Sequence, residues 1–155
     1  ADAPKDIPDD FVPVFRMVAA SDTHVITLGD TGCRRITKMM QQAYALSDAD
    51  ADYNKVDAVV VSGDLTDDGT LTSYAAYAAT FNSALRDETQ LISLVAVSSH
   101  DGSTYGKQAS LDVFKQCALL KRFPVIHASC REYKIQDFSF VVDYQMQFES
   151  EEPSH

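Results

Sequence analysis

The stretch "VDAVVVSGDLTDDG", residues 56–69, decides how this chain is read. Its first six residues are apolar at nearly every position and too few for a buried helix, so they read as a strand covered on both faces. The run stops at Ser62-Gly63, and the loop that follows carries Asp64, Asp67 and Asp68. Glycine lets the backbone pass close to whatever those carboxylates bind. In open α/β sheets, ligands sit just past the carboxyl ends of the strands.

The same event occurs on either side of this stretch. Val14–Ala20 (VFRMVAA) reads as a first buried strand and ends at Ser21-Asp22-Thr23-His24. Leu91–Val97 reads as a third and ends at Ser98-Ser99-His100-Asp101. Between them, helical spacing predicts one helix from Thr31 or Gly32 to about Leu46, with Ile36, Met39, Met40, Ala43 and Leu46 on its apolar stripe. A second helix is predicted from about Leu71 to Leu85, with Tyr74, Tyr77 and Phe81 as core, and a third over Ser110–Leu120. Strand and helix alternate, which predicts an α/β fold with right-handed crossovers and a largely parallel sheet. From Tyr133 to Phe148 the apolar residues recur with period two, as in strands or a hairpin with one wet face. Residues 1–13 read as an irregular acidic leader, 14–148 as the domain and 149–155 as a polar tail.

Composition narrows the function. The chain has 155 residues, 45% of them hydrophobic, and a formal net charge of −10. One domain is expected at that length. The negative charge repels nucleic-acid backbones and anionic membranes at long range, so an anionic substrate would need a local positive device such as metal ions. No apolar stretch approaches the roughly 18 residues of a membrane-spanning helix. Cys33, Cys117 and Cys130 form no C-x-x-C pair and read as buried or idle thiols. Compartment is open.

Asp22 and His24, two apart in a segment expected to be extended, can point the same way as ligands of one metal. Asp64 can bridge two cations through its two carboxylate oxygens. Each loop alone is ordinary turn chemistry. Three in phase at equivalent strand ends point to a site.

"SDTH", "GDLTDDG" and "SSHD" in succession resemble the first three signature blocks of the calcineurin-like metallophosphoesterases, D-x-H, G-D-x-x-D-x-G and G-N-H-[DE]. The stretch from Ser62 to Leu85 looks particularly like that family's cyclic-nucleotide phosphodiesterase branch, and the resemblance runs from about Phe15 to Asp101. It implies a two-sheet α/β sandwich flanked by helices and a centre of two divalent ions, manganese, iron or zinc, that activates a bridging water as hydroxide against a small-molecule phosphoester. Asp22 and His24 would hold the first ion and Asp64 would bridge both. His100 would stand near the phosphate as the catalytic imidazole, oriented by Asp101. Ser99 occupies the position of the family's metal-binding asparagine, and its hydroxyl is a poorer neutral donor, so the second ion would be held more weakly. The family's closing G-H-x-H block is absent from the sequence, and His127 comes early for the remaining histidine. The expectation is therefore the front half of such an enzyme, truncated on its C-terminal side. The alternative is a truncated, catalytically impaired domain that binds metal or a partner without turnover.

Two further motifs are set aside. "LGDTGCRR", residues 28–35, lacks the Lys-Ser/Thr of a phosphate-binding loop, and Arg34 and Arg35 read as solvated. Ser98 and Ser99 lack a G-x-S-x-G elbow, which argues against a serine hydrolase.

Overall fold

Two side chains set where the helices begin. Asp30 is the N-cap of α1 (Thr31–Asp48): its Oδ1 accepts from the Cys33 N–H at 2.8 Å, and its Oδ2 accepts from the Ile26 and Thr27 N–H groups. Thr70 caps α2 (Leu71–Ala84) by accepting from the Ser73 N–H at 3.2 Å. Both satisfy donors that a helix start leaves without intrahelical partners. The glycine-rich stretch around Asp30 is thus a capping loop, and Arg34 braces it by donating to the Gly29 carbonyl and the Thr31 hydroxyl.

The computed structural model describes residues 10–94 and 100–104, together with the backbone of short strands at 125–126, 132–135 and 138–141. Strands β1 (Met17–Ala20), β2 (Ala58–Val61), β3 (Gln90–Leu94) and β4 (Val125–Ile126) form one parallel sheet in the order β1-β2-β3-β4. Val18 pairs with Val59, Val59 with Leu91 and Ser93 with Val125. Spatial order follows chain order and α1 touches α2. Both crossovers therefore lie on one face, as right-handed connections require. Strands β5 (Glu132–Ile135) and β6 (Phe138–Val141) pair antiparallel as a separate ribbon, as the period-two pattern of the tail anticipates. Among the described residues no helix is long and apolar enough to cross a membrane.

The core lies between the sheet and the two helices. Ile36 and Met40 of α1 and Tyr77 and Phe81 of α2 are buried against Val59 and Leu91. The Tyr77 and Phe81 rings meet edge-on at 4.9 Å. The α1 stripe is Cys33, Ile36, Met40, Tyr44 and Ser47, which moves the buried face away from the expected Leu46, now 76% exposed. Tyr44 takes that place because its hydroxyl finds partners in Thr89, at 2.7 Å, and the Arg86 N–H. The first strand is shorter than expected, and its residues alternate exposed and half-buried. It stands at the sheet edge, with Val18 turned to the core and Met17 43% exposed, so it is not covered on both faces among the described residues. The predicted third helix, the end of the third strand at 95–97, the first nine residues and the tail after 141 lie outside the described residues.

At the amino edge of the sheet, Asp57 has no exposed side-chain surface. It accepts from the Arg16 N–H at 2.8 Å and the Tyr53 hydroxyl at 2.7 Å, with Lys55 Nζ at 3.2 Å. Its own carbonyl accepts from the Gln90 N–H, so one residue ties β1, β2 and β3 in register. Asp57→Ala leaves the part-buried donors of Arg16 and Tyr53 without their acceptor and is expected to cost about 1–3 kcal/mol in urea unfolding. Asp48→Ala, which removes the solvent-facing pair with Arg86, should leave the midpoint nearly unchanged. Equal midpoints for the two variants would contradict this assignment.

Candidate metal centre

Beyond the carboxyl ends of β1 and β2, the pairing continues into the loops. The N–H groups of Asp22, His24 and Val25 donate to the carbonyls of Gly63, Asp64 and Leu65, each at 3.1 Å, and the Asp67 N–H returns to the Val25 carbonyl at 3.1 Å. The Thr23 hydroxyl donates to the Leu65 carbonyl at 2.7 Å, and Val25 bridges Thr66 in parallel. Val25 and Leu65, both fully buried, anchor this run in the core.

The paired loops are not regular strand. Asp22, His24 and Asp64 have φ of 55°, 44° and 47°, and they are the non-glycine residues of positive φ among those described. The left-handed region costs an L-residue on the order of 1–2 kcal/mol, least for Asp, Asn and His. Residues 22–24 are therefore not the extended segment expected from the sequence. Such strain persists only where surrounding structure enforces it, and it clusters at functional sites.

Three of the expected site residues converge. One ligating atom each from His24, Asp64 and His100 lies within 4.8 Å of the others. Donors on opposite sides of an ion with bonds of about 2.1 Å stand about 4.2 Å apart, so the 4.8 Å limit brings the set near the size of one coordination sphere without closing to it. Among the described residues, His24 Nδ1 and Asp64 Oδ1 are both buried from solvent and have no hydrogen-bond partner. A carboxylate oxygen in that condition carries an uncompensated desolvation cost of about 1–3 kcal/mol or more, which a cation would offset. Two imidazoles and a carboxylate also suit a borderline divalent ion such as zinc, manganese or iron. Asp22 stands at the rim, 64% exposed, with Oδ1 at 3.7 Å from His24 Nε2. Ser99 lies outside the described residues.

Asp67 stands between the two imidazoles. Its Oδ1 is 3.4 Å from His24 Nδ1, near enough for attraction though not aligned as a hydrogen bond, and 3.9 Å from His100 Nδ1. The two rings meet edge to face at 4.7 Å and 86°. His100 Nδ1 lies 2.9 Å from the Asp67 carbonyl oxygen. A carbonyl only accepts, so Nδ1 carries the hydrogen and Nε2 is the nitrogen available to a metal or substrate. That backbone hydrogen bond, reinforced by the charges of Asp64, Asp67 and Asp101, raises the His100 pKa above its ordinary value.

His100 opens a short turn, His100–Gly102, after the third strand. The carboxylate of its neighbour Asp101 faces the second loop: it accepts from the Leu65 and Thr66 N–H groups and from the Thr66 hydroxyl. Among the described residues, the polar contacts to the His100 ring come from Asp67. Thr66 and Tyr74, which no motif singles out, belong to this network. Helical spacing marks Tyr74 as core but carries no trace of the partner its hydroxyl takes.

Comparison of the chain with the models of known protein families and with curated proteins finds no match.

The His100 shift has a measurable consequence for the metal-free protein. A folded pKa above the unfolded value near 6.5 means that protonated His100 stabilises the fold below that value, and this contribution is lost as pH rises through the folded pKa. An NMR titration should show the His100 ring with a midpoint above 6.5 in wild type. A midpoint at or below 6.5 would contradict the geometry around Asp67.

Proposed function

We propose that this chain is a metal-dependent phosphoesterase, most naturally a phosphodiesterase, built on the front half of a two-sheet α/β sandwich. The observation that carries the reading is the backbone strain: Asp22, His24 and Asp64, the residues that the motif resemblance would make metal ligands, are the non-glycine positions held in the left-handed region among the described residues. Polar side chains with buried atoms that have no hydrogen-bond partner among the described residues, on strained backbone at the carboxyl end of a parallel sheet, are what a ligand site requires and a turn does not.

In this reading His24 and Asp64 hold a divalent ion, with Asp22 at its rim. A bound ion of this kind supplies Lewis acidity toward phosphoryl oxygens and the positive field that a chain of net charge −10 lacks. His100, with Nδ1–H fixed on the Asp67 carbonyl, presents Nε2 to the substrate and holds the proton needed by the leaving oxygen. Asp67 keeps both imidazoles oriented. Gly63, at φ 106°, lets the chain turn from β2 so that Asp64 enters the site.

The test is hydrolysis of bis-p-nitrophenyl phosphate with added Mn2+. Wild type should turn over, and Asp64→Asn should lose at least about a hundredfold in rate, since even outer partners of metal ligands cost 10–100-fold. Equal rates in the two proteins would sink the proposal. Ser99, at the position where the resemblance has a metal-binding asparagine, favours a second reading, a domain that binds metal without turnover. Metal binding in the wild type with no hydrolysis above background would select it.

A further inference from the structure

We infer that Thr66, Tyr74 and Asp101 form a buried positioning clamp that fixes the separation of Asp64 from His100 and thereby sets the metal affinity of the centre. The inference rests on the metal-site reading above, adds Thr66 and Tyr74, which no motif position or ligand set includes, and gives Asp101 a role toward the second loop.

All three side chains lie behind the site, not in it. Thr66, Tyr74 and Asp101 each expose 0% of their surface. Asp101 Oδ1 accepts from the Thr66 N–H at 2.8 Å and the Thr66 hydroxyl at 2.9 Å, and Oδ2 accepts from the Leu65 N–H at 3.1 Å. The Thr66 oxygen accepts in turn from the Gly69 N–H at 3.1 Å, so its hydroxyl both donates and accepts. The Tyr74 hydroxyl reaches out of α2 and donates to the Asp101 carbonyl at 2.7 Å. Gly69, at φ 65°, packs so closely on that carbonyl that an added Cβ would collide with its oxygen and stand 2.9 Å from its carbon.

These contacts fix the 65–69 loop to residue 101 at several points. Asp64 directly precedes Leu65 and His100 directly precedes Asp101, so a fixed 65–66 to 101 spacing dictates how far apart the two site residues stand. None of the bonds uses the Asp64 carboxylate or an imidazole, so the clamp holds the ligands without competing for their donor atoms. A buried carboxylate is tolerable only with its acceptor positions filled, and the second loop supplies three donors. This is the outer support that a metal site needs to keep its ligands in place.

The experiment titrates Co2+ into the full chain, following its visible absorption, alongside urea unfolding. Thr66→Val keeps the side-chain shape and deletes the hydroxyl, whereas Thr66→Ser restores it. Thr66→Val is expected to weaken Co2+ binding about tenfold or more and to shift the absorption bands, while Thr66→Ser stays within about twofold of wild type. Tyr74→Phe, which leaves the core ring in place, should shift affinity in the same direction and decides the matter if Thr66→Val does not fold. Folded Thr66→Val and Tyr74→Phe with wild-type affinity and spectrum would overturn the clamp and leave the metal reading standing. A wild type that binds no Co2+ would overturn both.

Discussion

The site depends on a backbone ladder that does not stop where the strands stop. Residues 22–25 and 63–67 stay hydrogen-bonded in parallel past the ends of β1 and β2. Val25 and Leu65 sink into the core between the polar positions. The ladder removes the freedom a loop would otherwise have, and Asp22, His24 and Asp64 are thereby held in a backbone conformation that they would not choose alone. Loops usually trade order for adaptability. Here the order of the sheet is exported into the loops, at a cost in strain.

The two ends of the sheet treat charge in opposite ways. At the amino edge, Asp57 is buried with its acceptors filled by Arg16, Tyr53 and Lys55, which pins register. At the carboxyl edge, Asp64 Oδ1 and His24 Nδ1 are buried and lack hydrogen-bond partners among the described residues, and the loop of Asp64 also carries Asp67 and Asp68. Satisfied buried polar groups make structure, and unsatisfied ones invite a ligand. That contrast within one sheet supports a binding role for the carboxyl edge and a structural role for the other. The clustered carboxylates favour a cation over any other occupant.

Much of this was legible in the sequence. The alternation of strand and helix, the start of α1 at Thr31, the extent of α2 and the pairing of strands in the tail follow from periodicity. The strand ends that deliver Asp22, His24, Asp64 and His100 to one edge follow from the same pattern. What periodicity could not show is which partner a side chain takes. Leu46 has the right spacing for the core yet lies exposed, because Tyr44 brings both ring surface and a satisfied hydroxyl. The positive φ of Asp22, His24 and Asp64 is imposed by pairing between loops some forty residues apart, which no local signal encodes. Likewise, Asp101 reads as the neighbour that orients His100, whereas its carboxylate serves the second loop and Asp67 serves the ring.

The most direct test of a metal centre at this edge is an anomalous difference map from a crystal soaked in Mn2+. The expected result is a peak at about 2.0–2.3 Å from the His24 imidazole and the Asp64 carboxylate, beside the His100 imidazole. A map with no peak among these three residues, or with manganese bound only elsewhere on the acidic surface, would contradict it.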